Sequence, residues 1–495
     1  MSKPIRTGVI TVNGEDVLLG DLLDYLDGLV SGSAGASEDY WHETDGTTSV
    51  LTVEEPTAKL VIPYFKGTNL TSVGMRFGTN DYAESLNWRG PTVLGGFIDE
   101  VGTDDESDLA SHYGLITYVP ETTVIGFSAS NIRGQGDMEE GEAGDTECLY
   151  AKSRHGLFVG VRAKNGGRGE AAINIKGSQR GETGSPLGYG VGVYGFTVVY
   201  DDDYLAASPE GTAPAGINLA NDNIVAIGGM IEGAPGSYIM SHSSPYEDLI
   251  CEGVLGTKGD VINGGLFVKS NGGVHSFSRH TIRVNAESPG SAVRVQGQDV
   301  ATRLILEGNR LVGGEYSFLL RPDEDSILDV IIRGGTVLSP DTALFILQEK
   351  RLRRLIVENV AVEDVPAGTG CVFSGSGPGV DHIVWRGVDG IVRQTADATP
   401  VPILTLPTAY GGVTSVKARI TGTDGTSFLC REHVAVYKNV SGTVTQIGSG
   451  STPINEVDGT SWTTAIAVSG QTLQFQVTGE ASTTINWTID AEVVG

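Results

Sequence analysis

Asp323, Glu324 and Asp325 stand together in the stretch RPDEDS, and Glu315 and Glu349 fall at nearby levels of the same repeating pattern. Two carboxylates held roughly 5 to 9 Å apart can do acid and base work, one protonating a leaving oxygen while the other activates water or attacks. Asp323, Glu324, Asp325 and Glu349 are therefore the candidate catalytic residues. The plainer reading is a solvated turn, and it applies more strongly still to the acidic runs at 99–108, 137–145 and 201–203. Other chemistries find less support. The eight histidines lack metal-ligand spacing, and Cys148, Cys251, Cys371 and Cys430 are too scattered for a metal or redox pair. The Gly-x-Gly at 134–136 reads as a turn, because no helix follows it to cradle a phosphate. No metal and no cofactor is implied.

Composition bounds the rest. The chain of 495 residues carries 61 acidic against 33 basic residues, a net charge of -28, and no Lys/Arg cluster along the sequence large enough to reverse it locally, which argues against a nucleic-acid partner. No run of about 18 apolar residues could span a bilayer, and the start MSKPIRTGVITVNGED has no apolar signal core. Synthesis in a cytoplasm, without the usual secretion route, is the expectation. With 70 glycines and 19% charged residues, the composition favours many short strands joined by turns, an all-β chain.

The elements that would position such carboxylates repeat. TRLILEGNRLVGG starts at Thr302, LDVIIRGGTVLSP at Leu328, RRLIVENVAVEDV at Arg353 and DHIVWRGVDGIVR at Asp381, in steps of 26, 25 and 28 residues. A second strand follows in each unit, as in YSFLLRP from 316 and TALFILQ from 342. A unit of this length with Gly- or Asn-bearing corners is one coil of a parallel β-helix, each strand pairing with its equivalents above and below. A leucine-rich repeat has similar length, but these connections lack helical spacing. Alternation sends Leu304, Leu306, Val330, Ile332, Leu355, Val357, Ile383 and Trp385 inward. It sends Ile305, Ile331, Ile356 and Val384 outward as an aliphatic column, beside a charged column of Glu307, Arg333, Glu358 and Arg386. An outward apolar column implies either a contact between protomers or a covering loop.

Upstream, GTDDESDLA (102–110) precedes GLITYVPETTVIGFSASNIRGQG (114–136), in the order Gly-Asp-Asp, strand ending in Tyr-Val-Pro, strand, Gly-x-Gly. This resembles the opening of the pectate-lyase-like right-handed β-helices of bacteriophage tailspikes, with a shorter segment between the acidic motif and the first strand than the family has. Together with the coils the resemblance covers about 100–400. It implies a homotrimeric virion spike or tail fibre displayed on the particle exterior and binding a host surface polysaccharide during adsorption. It leaves two alternatives open: a polysaccharide depolymerase, glycoside hydrolase or lyase, on the same scaffold, and a structural decoration protein that binds no receptor. For a glycan ligand, aromatic platforms are needed, and Tyr194, Tyr204, Tyr238 and Tyr246 are the candidates, against a plainer role as half-buried strand residues. A lyase would use a basic residue beside bound calcium, and none singles itself out.

The expected organisation has four parts. Residues 1–45 form an attachment segment to the virion tail or capsid, with an amphipathic helix at 17–30 whose Leu19, Leu22, Leu23, Leu26 and Val30 share a face. That face docks on a partner, on its own copies or on the next domain. Residues 46–113 form a small N-terminal β-domain, 114–400 the helix, and 401–495, beyond a proline-rich boundary, an antiparallel β-sandwich similar to the small C-terminal domains of phage fibres and spikes. Ile305, Ile331, Ile356 and Val384 are the expected trimer interface.

Overall fold

The computed structural model describes residues 9–12, 15–18, 42–45, 49–53, 61–62, 65–79, 89–103, 111–134, 146–166, 170–176, 189–202, 214–220, 222–242, 249–270, 273–285, 290–297, 302–321, 328–338, 343–347, 352–363, 373–374, 380–456 and 461–495. Apolar alternation in short strands gives the chain many half-buried faces, and stacking them in parallel buries one side of each against a common interior. One flat face of the stack is a sheet of 12 strands, from Ser49–Val53 at one end to Phe373–Ser374 at the other, every neighbour parallel. The opposing face is bent. There a coil contributes two strands, such as Thr302–Glu307 and Arg310–Val312, which pair in parallel with Leu328–Arg333 and Thr336–Leu338 of the next.

The bend explains much of the glycine. Gly308, Gly334, Asn359 and Gly387 occupy the corner between the two strands at φ of 63, 61, 57 and 59°, the left-handed region that costs a residue bearing Cβ about 1 kcal/mol or more. Gly308 N, Gly334 N and Asn359 N each donate to the carbonyl preceding the next corner, at 2.9, 2.8 and 3.1 Å, so the corners stack as regularly as the strands.

The inward rows are those expected from alternation. Leu304, Val330, Leu355 and Ile383 lie in register and buried, as do Leu306, Ile332, Val357 and Trp385. Across the interior, Phe318 stacks on Phe345 at 4.6 Å, and Trp385 closes edge-on at 6.0 Å. The outward charged column is also in register, with Glu358 held by Arg333 at 3.1 Å and Arg386 at 2.5 Å.

Two expectations fail. Residues 46–113 are not a separate domain: His42–Asp45 pairs in parallel with Phe65–Leu70, Ser49–Val53 with Val73–Phe77, and Val61–Ile62 with Thr92–Leu94. Phe65 packs on Phe127 at 5.9 Å within the one continuous core, so these are early coils whose short strands and uneven connections conceal the repeat. The helix expected from Val17 is also wrong at its start, since Glu15–Leu18 is a strand antiparallel to Val9–Val12, with the hairpin-favouring Asn-Gly pair between them in the sequence. Residues 19–30 lie outside the described residues.

The C-terminal region forms two antiparallel sheets. Val401–Pro407, Thr463–Ser469 and Thr472–Thr478 make one; Val413–Thr423, Phe428–Val440, Thr443–Glu456 and Ile485–Val494 make the other. Ile485–Val494 also runs antiparallel to the last coil, placing Val384 opposite Val494 and Trp385 opposite Val493, and Trp487 Nε1 donates to Thr395 Oγ1 at 2.8 Å. An antiparallel strand thus closes the open end of the stack, where an exposed edge would otherwise invite aggregation.

Candidate functional site

On the flat sheet the strands TECLYA (146–151), AAINIK (171–176) and AGINLA (215–220) turn Leu149, Ile173 and Ile217 into the core. Alternation then leaves Tyr150, Asn174 and Asn218 on the outer side, in register with one another. All three are nevertheless buried, and so is Glu147, so their polar atoms must find partners within the protein. Asn174 does this completely. Its Nδ2 donates to Glu147 Oε1 at 2.8 Å and to Glu170 Oε2 at 2.7 Å, while its Oδ1 accepts from Asn218 Nδ2 at 3.1 Å. Lys176 Nζ completes an ion pair with Glu170 at 3.0 Å.

Two features make this cluster more than a ladder. Because one amide nitrogen touches both carboxylates, Glu147 Oε1 and Glu170 Oε2 can be no farther apart than the two bonds placed end to end, about 5.5 Å. This upper bound is compatible with the separation at which one carboxyl can attack while the other protonates, in glycoside hydrolysis with retention. Second, Asn218 Oδ1 is buried without a hydrogen-bond partner among the described residues, an acceptor that an enclosed water would satisfy. Glu170 keeps 25% of its side chain exposed and Glu147 is fully buried, so Glu170 is the carboxylate that solvent reaches first.

Tyrosines flank the cluster on the side of the earlier coils. Tyr113, in register with Glu147, lies 5.4 Å from the Tyr150 ring, and Tyr118 packs edge-on to Tyr150 at 6.2 Å. Arg76 sits over Tyr118 and Lys152 over Tyr150, each at 5.9 Å. Aromatic faces beside carboxylates and amides are the groups that take up a sugar's C–H face and hydroxyls together.

The residues singled out from sequence fare unevenly. Asp323, Glu324, Asp325, Glu349, Tyr204 and Tyr246 lie outside the described residues. Tyr194 is half-buried on the bent face, its ring close over Gly192, with burial raising its hydroxyl pKa. Tyr238 is no surface platform: it is wholly buried, its hydroxyl donating to Arg283 O at 2.5 Å and accepting from Gly259 N at 2.9 Å. Inward packing won because Gly256 and Gly259 leave its ring the space. Ile305, Ile331, Ile356 and Val384 do form one outward column, but Ile331 is only 7% exposed and the others are half-buried, each shielded by its neighbours.

Glu147, Glu170, Asn174 and Asn218 were missed. The available signal was the repeated Ile-Asn-aliphatic triplet, an amide at an outer position of two otherwise apolar strands.

No family model matches the chain, and no curated protein matches it. Among solved structures it is similar to the Dettilon tailspike protein (gp208), at 10% identity over 90% of this chain and 87% of that one, with a TM-score of 0.36. It is similar to a mutant tailspike protein of E. coli bacteriophage HK620 in complex with a hexasaccharide, at 8% identity over 96% and 95% of the two chains and a TM-score of 0.35. A third is tailspike protein gp49 from Acinetobacter baumannii bacteriophage Fri1, a capsular polysaccharide depolymerase, at 10% identity over 80% and 79% and a TM-score of 0.21.

Proposed function

We propose that the chain is one protomer of a homotrimeric virion spike whose outer face binds a host cell-surface glycan, with residues 1–45 attaching it to the tail or capsid. The observation that carries the glycan reading is the cluster of Glu147, Glu170, Asn174 and Asn218 beside Tyr113, Tyr118 and Tyr150. Carboxylates and amides accept and donate to hydroxyls while the rings take the apolar face, and three copies of one weak site raise avidity.

The aliphatic column supports the trimer. Interrupted by Ser276, it runs Val225, Ile250, Ser276, Ile305, Ile331, Ile356, Val384 and Val494, in register throughout and about 34 Å long at the usual strand spacing. Ile250 and Val494 remain 44% and 40% exposed. Bringing three such columns together about a threefold axis buries them in a closed contact that leaves no sticky surface.

Host polysaccharide immobilised on a sensor tests the binding reading: the wild-type protein is retained, and no retention at any protein concentration rejects it. Replacing Ile250 and Ile356, which keep exposed surface, by Asp is expected to yield folded monomers by light scattering; an intact trimer of unchanged thermal stability rejects the column as interface.

The spacing of Glu147 and Glu170 favours a second reading, a glycoside hydrolase on the same face. New reducing ends from the bound polysaccharide, abolished by Glu147→Gln and by Glu170→Gln with binding retained, support it. A wild-type protein that binds and releases none rejects it.

A further inference from the structure

The flat sheet's outer column continues past Asn218 through Met240 and Phe267 to Arg294, three levels or about 14 Å along the same face. Val293, Val295, Leu266 and Val268 go into the core, so Arg294, Phe267, Lys269 and Gln296 are outward. Gln296 lies between Lys269 on one coil and Arg321 on the next, and Arg294 is two residues before Gln296 on the same strand. Three cations therefore surround one uncharged side chain, drawn from coils about 27 residues apart, which is why no cluster shows in the linear sequence.

Several other cations on the shaft meet carboxylates: Arg279 meets Glu252, Lys258 meets Glu232, Arg333 meets Glu358 and Arg353 meets Asp329. Arg294 and Lys269 have no such partner among the described residues. Arg294 instead lies over the Phe267 ring at 5.1 Å, donates from Nη1 to Asn263 Oδ1 at 3.2 Å, and keeps Nε buried and unbonded among the described residues. Gly264 makes the room, since a Cβ there would come 2.9 Å from Arg294 Cβ. A guanidinium braced by a ring and an amide, beside two like charges, is a preorganised anion receptor. Distant carboxylates do not cancel it, because charges beyond about 8 Å are largely screened at physiological ionic strength.

We propose that Arg294, Lys269 and Arg321 form a subsite for an anionic group carried by a saccharide, either a carboxylate or a phosphate ester. This rests on the glycan reading above and adds the substrate class: an acidic polysaccharide lying along the helix axis, its charged substituent on Arg294 and its neighbouring units toward Glu170.

Calorimetric titration of the intact trimer with glucuronate, glucose 6-phosphate, glucose and inorganic phosphate tests it. One of the two anionic sugars is expected to bind at least tenfold tighter than glucose, and the tighter one names the group. The double variant Arg294→Ala, Lys269→Ala should abolish that preference, and Arg294→Lys, which keeps the charge but not the stacking or fork, should remove part of it. Circular dichroism and light scattering confirm that the variants stay folded trimers. Inorganic phosphate binding as tightly as either sugar marks a simple ion site and overturns the proposal. So does the absence of any preference over glucose, as when the run Asp323–Asp325 after Arg321 neutralises the cluster, or a preference unchanged in the double variant. Retention on immobilised host polysaccharide is measured in parallel: retained wild type with no anionic preference rejects this subsite alone, whereas loss of retention rejects the parent reading.

Discussion

Two outward columns of one β-helix share a core, a strand period and a level spacing, and differ in chemistry. On the bent face Ile305, Ile331, Ile356 and Val384 repeat one kind of side chain from coil to coil. On the flat face Tyr150, Asn174, Asn218, Met240, Phe267 and Arg294 change at almost every level. An aliphatic column needs only to be covered, and any apolar surface of the right shape will do. A buried polar column must be satisfied atom by atom, so each residue there fixes its neighbours, as Asn174 does for Glu147 and Glu170. The uniform face suits a contact with identical copies, the varied one a ligand.

The largest expected effect strikes what both faces share. Trp385→Ala removes a fully buried ring from the interior and should lower unfolding stability by about 3–5 kcal/mol in a denaturant titration. A loss below about 1 kcal/mol would mean the interior is not the common support.

Mild acid should come next. His280 Nδ1 accepts from Val254 N at 3.0 Å and Nε2 faces Cys251 O at 3.0 Å, which places the ring proton on Nε2. Burial pushes its pKa down from 6.5 to about 4. Because the unfolded chain takes up this proton first, the contribution is complete above about pH 6.5, declines as the pH falls, and is gone near pH 4, an effect on the order of 2–3 kcal/mol. Desolvation would raise the pKa values of Asp329 and Glu358 but their arginines hold them low, so their contribution begins to be lost as the pH falls into the ordinary carboxylate range, at the acid end of this window. Thermal melts between pH 7 and pH 4 should fall in the wild type and flatten in His280→Gln; parallel curves would exclude the histidine.

Asn174→Leu sharpens the contrast directly. It withdraws the donor from two carboxylates and should cost about 1–3 kcal/mol, although it makes the flat face resemble the aliphatic one. A neutral result in chemical denaturation would show that the polar column is not mutually dependent. The smallest effect belongs to the exposed ladder: Glu358→Gln removes the centre of Arg333–Glu358–Arg386 and should cost at most about 1 kcal/mol, less in high salt. A larger loss would mean that the ladder does more than set register.

The sequence by itself determined the period of the coils, the inward rows from Leu304 to Trp385 and the charged ladder, because these depend on alternation and on a nearly constant repeat. Those are local properties, readable two residues and one coil at a time. It also pointed to antiparallel pairing beyond Pro407, where alternation is tight and the turns are short. Only the tertiary structure decided that residues 46–113 open the same stack, that Tyr238 turns inward and that Glu147, Glu170, Asn174 and Asn218 meet. Asn174 lies 27 residues from Glu147 and 44 from Asn218, so connections of unequal length hide their common level from any fixed period. The same holds for Lys269, Arg294 and Arg321, scattered in an acidic chain and gathered on one face by the register of three neighbouring coils. A strand's own residues say which side each faces; what stands beside it one level away is set by where the intervening loop lets the chain return.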